Sequence, residues 1–233
     1  MNRYPATIID NFFTEPDKVR EWALTQTYTY NKDRPDVPYI FPGLRTDELH
    51  KINRSLFDEF CIRLMTILHN FRYESIEWKV LAHIQIISGE YETGWIHQDD
   101  NDTIIAGVIY LSPDAPLDAG TSLYKKNVNY NNEDYADLNN SKIKFYQHGT
   151  KDTNYSDHRN LVDNMFDETV KVNNCYNRAI FYEGDIFHKA NNFFGNNLDD
   201  SRMTLVFSVS KLTVPNNEYP LSRHRHINNK SNI

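Results

Sequence analysis

Residues 94–111 read GWIHQDDNDTIIAGVIYL, and the triplet His97-Gln98-Asp99 lies near the start of this stretch. In an extended chain, residues i and i+2 point to the same side, so the imidazole of His97 and the carboxylate of Asp99 can converge on one point. Imidazole nitrogen and carboxylate oxygen are both ligands that first-row metals such as Fe(II) accept. The stretch therefore predicts two ligands of a metal site.

The sequence around this stretch predicts an α+β protein. Before it, apolar residues recur at spacings of three and four, which predicts amphipathic helices that begin at Thr14, with Thr14 as the cap, and at Thr46. From Trp78 the apolar period changes to two, which is typical of a strand. Further strand patterns cover residues 6–13, 103–111, 121–124, 178–182, 186–190 and 202–214. Helices followed by many strands favour a barrel or sandwich with the helices packed against one sheet.

A second histidine can complete the metal site. His188 follows a tight turn at residues 183–185 and lies in a strand pattern, so antiparallel pairing can bring it beside the triplet. Two histidines and one carboxylate form the facial triad of non-haem iron oxygenases, which leaves the opposite face of the metal open.

The last strand supplies a candidate anion site. Arg202 and Thr204 are two residues apart and face the same way. Arginine binds a carboxylate through two parallel hydrogen bonds, and a neighbouring hydroxyl can donate one more. The pair predicts a binding site for the distal carboxylate of 2-oxoglutarate.

The order His97-x-Asp99, His188, Arg202-x-Thr204 resembles the Fe(II)/2-oxoglutarate-dependent oxygenase superfamily, near its prolyl-hydroxylase-like branch. More closely, NFFTEPDKVREWAL, FPGLRT, IHQDDNDTIIAGVIYLSPDAPLDAGTSLY and the stretch from FYEGDIFHKANNFFG through RMTLVF are similar to an uncharacterised bacterial and phage group within that superfamily. The resemblance implies a double-stranded β-helix (jelly-roll, cupin-like) core with N-terminal helices packed on one sheet.

The resemblance also implies a function. It implies a dioxygenase that uses Fe(II), 2-oxoglutarate and O2 to hydroxylate a substrate, with release of succinate and CO2. His97, Asp99 and His188 would be the metal ligands and catalytic centre. The cosubstrate pocket would contain Arg202, Thr204, Tyr110 and Gln85. A peptide or protein side chain and a small molecule both remain open as the substrate.

Two other functions remain open. One is a non-catalytic jelly-roll binding module, and the other is a cupin-type metalloenzyme that works without 2-oxoglutarate. Neither needs a carboxylate site at Arg202 and Thr204, so that pair favours the oxygenase. Asp99 argues against halogenation, because a halide needs the coordination position that the carboxylate fills.

Composition excludes several classes of protein. The formal net charge of −7 argues against nucleic-acid binding, which needs clustered Lys and Arg. Cys61 and Cys175 lie far apart without metal-type spacing, which indicates reduced thiols. The first residues lack a secretion-signal pattern, and no apolar run is long enough to cross a membrane. We therefore expect a soluble cytoplasmic protein with no membrane partner; the sequence carries no specific signal of oligomeric state.

The 233 residues are predicted to form one oxygenase domain. Residues 125–177 are crowded with Asn, Tyr and Asp and show little periodicity, so we predict an insertion that acts as a lid over the site, with a possible helix near Asp157 to Met165. Residues 215–233 are locally basic and are predicted to form a flexible tail.

Overall fold

A computed structural model describes residues 6–35, 37, 39–68, 77–99 and 102–213, with the side chains at 212 and 213 left undescribed. The predicted tail at residues 215–233 lies outside the described residues. Within the described ranges, no helix has the length and apolar character needed to cross a membrane.

The N-terminal part of the chain forms three helices that cover one sheet. They are α1 (Pro16–Leu24), α2 (Leu49–Ile52) and α3 (Arg54–Leu68). Helix α1 begins at Pro16, whose ring suits the first turn. The predicted Thr14 cap is wrong: Glu15 holds the cap position, and the Thr14 hydroxyl accepts a hydrogen bond from the Arg63 guanidinium.

The helix predicted to begin at Thr46 is split and starts later. The first piece begins at Leu49, and the chain leaves the helical conformation at Asn53. The Asn53 side-chain oxygen then accepts the Leu56 N–H at 3.0 Å, so it caps the second piece. The apolar spacing is continuous across this break, which is why periodicity alone predicts one helix.

The described strands form two antiparallel sheets. They are β1 (Thr7–Ile9), β2 (Thr29–Tyr30), β3 (Leu44–Arg45), β4 (Glu77–Ile87), β5 (Ile105–Tyr110), β6 (Thr121–Lys126), β7 (Phe166–Val172), β8 (Ala179–Glu183), β9 (Phe187–Ala190) and β10 (Arg202–Thr213). The large sheet has the order β1-β8-β5-β10-β4-β3-β2, and the small sheet has the order β7-β6-β9. This architecture is the double-stranded β-helix, as the resemblance implies.

The two faces of β10 explain where the core and the cavity lie. Met203, Leu205, Phe207 and Val209 are buried in the main apolar cluster, together with side chains of α1 to α3 such as Phe60. Each such side chain contributes about 1.5–3 kcal/mol of hydrophobic stabilisation. The alternate residues of β10, which begin with Arg202, point to the opposite face, where the small sheet lies.

The segment 125–177 contains more regular structure than its composition indicates. Helix α4 (Asn132–His148) and helix α5 (Tyr155–Asp163) precede β7, which pairs with β6 and so belongs to the small sheet. Helix α5 confirms the predicted helix in this region to within two residues. Helix α4 is capped by the Asn131 side chain and ends at Gly149 with φ of 70°. Its buried residues are few (Ser141, Phe145 and Tyr146), so its apolar periodicity is weak.

Candidate metal and cosubstrate site

The two histidines lie opposite each other on paired backbone segments. His97 N–H donates to the His188 carbonyl at 3.0 Å, and His188 N–H donates to the His97 carbonyl at 2.8 Å. Residues that exchange both hydrogen bonds stand directly opposite each other in an antiparallel pair, with their side chains on the same side. The ring centroids are 4.4 Å apart. The predicted pairing of the triplet with the His188 strand is confirmed.

Each imidazole is held in one tautomer. The Nδ1 of His97 is 2.7 Å from the Trp95 carbonyl, and the Nδ1 of His188 is 2.9 Å from the Ile186 carbonyl. Because a carbonyl oxygen can only accept, both Nδ1 atoms must carry the proton. Both Nε2 atoms therefore present a lone pair, and the carbonyl bonds also fix the ring orientations, as in histidines that bind metals.

Asp99 completes the group. Its Oδ2 lies 3.8 Å from the His188 Nε2 and is buried without a hydrogen-bond partner. One ligand atom from each of His97, Asp99 and His188 lies within 4.8 Å of the others. A buried carboxylate oxygen without a partner is costly, and a metal ion would remove that cost.

The protonation state of His97 also suits a metal ligand. Burial and, to a lesser degree, the neighbouring His188 hold the pKa of His97 well below its usual value of 6.5. The ring is therefore neutral at pH 7. Two imidazoles and one carboxylate are a donor set that fits Fe(II) and related divalent metals.

Arg202 is a buried cation that has no anionic partner in the described part of the chain. Its Nε donates to the Ala119 carbonyl at 3.1 Å, whereas its Nη2 is buried with no hydrogen-bond partner. The guanidinium lies over the rings of Tyr110 and Phe193, at 5.5 and 5.8 Å from their centroids. Burial lowers the pKa of Arg202. The neighbouring Thr204 hydroxyl is buried and also lacks a partner, so the pair fits a carboxylate ligand.

Tyr110 and Gln85 flank Thr204 on the two neighbouring strands, in register with it. The Tyr110 hydroxyl donates to the Thr121 hydroxyl at 2.8 Å. Of these two residues, Thr121 lines the cavity and Tyr110 does not. The Gln85 amide donates to the Pro42 carbonyl at 2.7 Å. Tyr110 can therefore act on a ligand through Thr121, and Gln85 forms part of the cavity wall.

His97, Asp99, His188, Arg202 and Gln85 line one cavity of about 350 Å³ between the large sheet, the small sheet and α4, whereas Thr204 and Tyr110 lie behind its lining. This volume is typical of small-molecule sites. We call His97, Asp99 and His188 together the metal group. Besides the metal group and Arg202, the polar lining includes residues that the sequence did not indicate: Tyr39, Arg45, His83, Thr121, Lys142 and Tyr182. They lie on separate elements, so no local motif marks them.

His83 is a buried neutral group in the cavity wall. Its Nδ1 donates to the Thr46 carbonyl at 3.1 Å, and its Nε2 is 3.1 Å from the Tyr39 hydroxyl, which donates to it. Burial, with a smaller effect of Arg45, lowers the pKa of His83 to about 4. His83 therefore positions Tyr39 and the loop that precedes α2.

Residues 1–204 match the model of a family of unknown function, DUF6445. The chain belongs to DUF6445. No curated protein matches its sequence.

Solved structures similar to this DUF6445 protein include HygX from Streptomyces hygroscopicus with nickel, 2-oxoglutarate and hygromycin B bound, at 11% identity and a TM-score of 0.51 over 88% of this chain and 82% of that one. EvdMO1 is similar at 13% identity and a TM-score of 0.52, over 90% of this chain and 48% of that one. A prolyl hydroxylase from Trichoplax adhaerens in complex with a hypoxia-inducible-factor peptide gives 12% identity and a TM-score of 0.45, over 96% and 86%. At such identities HygX and EvdMO1, with TM-scores above 0.5, show the fold of the DUF6445 protein and nothing more.

Proposed function

We propose that this protein is an Fe(II)- and 2-oxoglutarate-dependent dioxygenase of the prolyl-hydroxylase-like branch that hydroxylates a peptide side chain or a small molecule. One observation carries the proposal: the three candidate metal ligands and the buried Arg202 guanidinium, whose Nη2 has no hydrogen-bond partner, line the same cavity. HygX, which has the same fold, binds nickel and 2-oxoglutarate. The relation to a bacterial and phage group stays a prediction.

His97, Asp99 and His188 would hold the metal. A bound Fe(II) would supply activation of O2 coupled to oxidative decarboxylation of 2-oxoglutarate, which yields succinate and CO2. The Trp95 and Ile186 carbonyls keep the Nε2 lone pairs of the two histidines aimed at one point. Because the backbone bridge holds these groups in place beforehand, metal binding needs little reorganisation.

Arg202 and Thr204 would bind the far carboxylate of 2-oxoglutarate. The free Nη2 of Arg202 can donate to one carboxylate oxygen, and the Thr204 hydroxyl can donate to the other. Thr121 can add a hydrogen bond, since its oxygen already accepts one from Tyr110 and its own proton remains available. The rings of Tyr110 and Phe193 keep water from the guanidinium, which strengthens its attraction for an anion.

The other two functions account for fewer of these features. Neither a binding module nor a cupin-type metalloenzyme needs a buried arginine that has no carboxylate partner in the protein. Burying such an unpaired cation costs free energy. The unpartnered Nη2 of Arg202 therefore supports a 2-oxoglutarate-dependent reaction over both.

The test is an anaerobic titration of the protein with Fe(II) and then 2-oxoglutarate, monitored by the visible metal-to-ligand charge-transfer band. We expect the band in the wild-type protein and its loss in His97→Ala and His188→Ala. His50→Ala is the matched control, because His50 lies on α2 with its Nδ1 3.3 Å from the Glu48 carboxylate. Iron that binds without producing the band would contradict the cosubstrate assignment, and a protein that binds no iron would contradict the metal site.

A further inference from the structure

The cavity contains more positive charge than the proposed reaction uses. Among the described residues that line it, the cations are Arg45, Lys142 and Arg202, and the only carboxylate is Asp99. Fe(II) would add two positive charges and 2-oxoglutarate would remove two, so an excess of two remains. We propose, on the basis of the function proposed above, that Arg45 and Lys142 bind an oxyanion of the substrate, a small molecule that carries a carboxylate or a phosphate.

The Arg45 side chain is held in place and still has an N–H group without a hydrogen-bond partner. One Nη atom donates to the Gln85 side-chain oxygen at 3.2 Å, whereas Nε is buried without a partner. The guanidinium stacks over the Phe41 ring at 4.4 Å and lies 5.6 Å from the Tyr39 centroid. The described part of the chain places no carboxylate within ion-pair distance of it. Burial lowers the pKa of Arg45 to about 10, so it still carries its charge at pH 7.

Lys142 approaches the cavity from α4, in the predicted lid segment. Burial alone lowers the pKa of Lys142 to about 8, and no described acidic group offsets that burial. Lys142 lines the same cavity as His97, Asp99 and His188. By contrast Lys144, two residues later on the same helix, is exposed and pairs with Asp152 at 3.3 Å. A half-buried lysine that lines the cavity without a carboxylate partner among the described residues points to an anionic ligand.

Arg45 is separate from the 2-oxoglutarate site. In the large sheet, Thr204 on β10 pairs with Gln85 on β4, and Gln85 pairs with Arg45 on β3. Neighbouring strands are about 4.8 Å apart, so the backbones of Thr204 and Arg45 are roughly 10 Å apart. The Gln85 side chain lies between them: its oxygen accepts from Arg45, and its amide donates to the Pro42 carbonyl. One small dicarboxylate held by Arg202 and the metal therefore leaves Arg45 free for another ligand.

The size and chemistry of the cavity restrict what this ligand can be. A volume of about 350 Å³ leaves room for 2-oxoglutarate and one further small molecule. The planar fork of arginine matches two oxygens of a carboxylate or of a phosphate, and lysine adds a point charge. The substrate class is thus an organic acid or a phosphate ester whose reacting carbon lies near the metal group.

The experiment measures binding to the metal-free protein in the presence of EDTA, so it does not depend on turnover. The probes share one carbon skeleton: glycerate carries a carboxylate, glycerol 3-phosphate carries a phosphate and glycerol is uncharged. Dissociation constants come from ligand-observed saturation-transfer NMR. We expect at least one anion to bind and glycerol not to bind. Binding of glycerate, of glycerol 3-phosphate or of both identifies which oxyanion the site accepts.

Variants locate the binding. Arg45→Gln and Lys142→Gln should each weaken anion binding at least about tenfold, as expected for one charge-assisted hydrogen bond. Lys144→Gln is the matched control on α4 and should bind like the wild type, and Arg202→Gln should keep the anion site. Because Arg45 also contacts Phe41 and Gln85, its variant is first checked by thermal unfolding. Lys142→Gln decides the question if that variant does not fold.

Three results would overturn the inference: no binding of either anion, glycerol binding as tightly as the anions, or wild-type affinity in both Arg45→Gln and Lys142→Gln. None of these depends on 2-oxoglutarate. A failure of the proposed function would instead be seen as absence of the charge-transfer band in the wild-type protein, so the two failures can be distinguished.

Discussion

The Arg202→Met variant should show separately how the buried Arg202 charge affects the stability of the protein and how it affects 2-oxoglutarate binding. In the ligand-free protein, the Arg202 guanidinium is buried with one hydrogen bond, to the Ala119 carbonyl, and with no carboxylate among the described residues. Methionine occupies similar space without a charge. We expect the variant to lose affinity for 2-oxoglutarate and yet to lose no stability in the absence of ligand.

The size of both effects follows from the contacts of Arg202. Replacing a buried charge by an apolar side chain is neutral or stabilising by about 1–4 kcal/mol, and the lost hydrogen bond costs about 1 kcal/mol. The Ala119 carbonyl keeps a partner, because the Asn174 side-chain amide donates to it at 3.2 Å. The free energy of unfolding should therefore change by between about −1 and +3 kcal/mol. Breaking a buried ion pair costs about 3–5 kcal/mol, so the Kd for 2-oxoglutarate should rise by roughly two to three and a half orders of magnitude.

Two assays measure these effects. Urea unfolding followed by tryptophan fluorescence gives the stability without ligand, and calorimetric titration of the Ni(II)-loaded protein gives the affinity for 2-oxoglutarate. Nickel avoids turnover. Loss of more than about 2 kcal/mol of stability, together with unchanged 2-oxoglutarate affinity, would refute the reasoning, because Arg202 would then be a structural residue.

Three further outcomes follow from the site and the fold. Ni(II) at about 100 times its Kd should raise the free energy of unfolding by about 2.7 kcal/mol in urea titrations, and an equal rise in His188→Ala would contradict its assignment as a ligand. The pKa of His83 is about 4 in the folded protein and 6.5 in the unfolded chain, so the unfolded state binds the proton first as pH falls. His83 should therefore lower the free energy of unfolding by roughly 2 kcal/mol between pH 7 and pH 5. His83→Asn keeps the hydrogen bond to Thr46 and should flatten this loss, whereas an unchanged pH slope in the variant would contradict the role of His83. Asn177 bonds both the N–H and the carbonyl of Phe13 at 2.8 Å, so Asn177→Ala should cost about 2–5 kcal/mol in urea unfolding, and a cost below about 1 kcal/mol would show that these bonds matter little.

Much of the scaffold could be predicted because its side chains alternate regularly. The period-two pattern from Trp78 and the pattern of β10 both predict strands, and the alternation on β10 separates the core face from the Arg202 face. Both patterns arise because each of these strands has one face against the helices. Where local contacts override the pattern, prediction fails: the Thr14 hydroxyl bonds Arg63 and is not a cap, and Asn53 interrupts the helix although the apolar spacing continues.

The clustering of His97, Asp99 and His188 was predictable for a different reason. His97 and Asp99 are two residues apart, so local geometry places them together, and His188 lies at a recognisable strand position. The bridge between His97 and His188 has no regular strand around the first histidine, so the extent of pairing could not be predicted. Its hydrogen bonds are nevertheless enough to bring the rings together.

The sequence by itself determined the α+β class, the alternation of the strands, and the residue types that can hold a metal and a carboxylate, because these depend on spacings of a few residues. Only the tertiary structure decided which further groups share the cavity. Arg45, Lys142 and Thr121 come from a short strand, a polar helix and the small sheet. They meet because long-range strand pairing and helix packing bring distant segments together, and no short-range pattern in the chain records those distances.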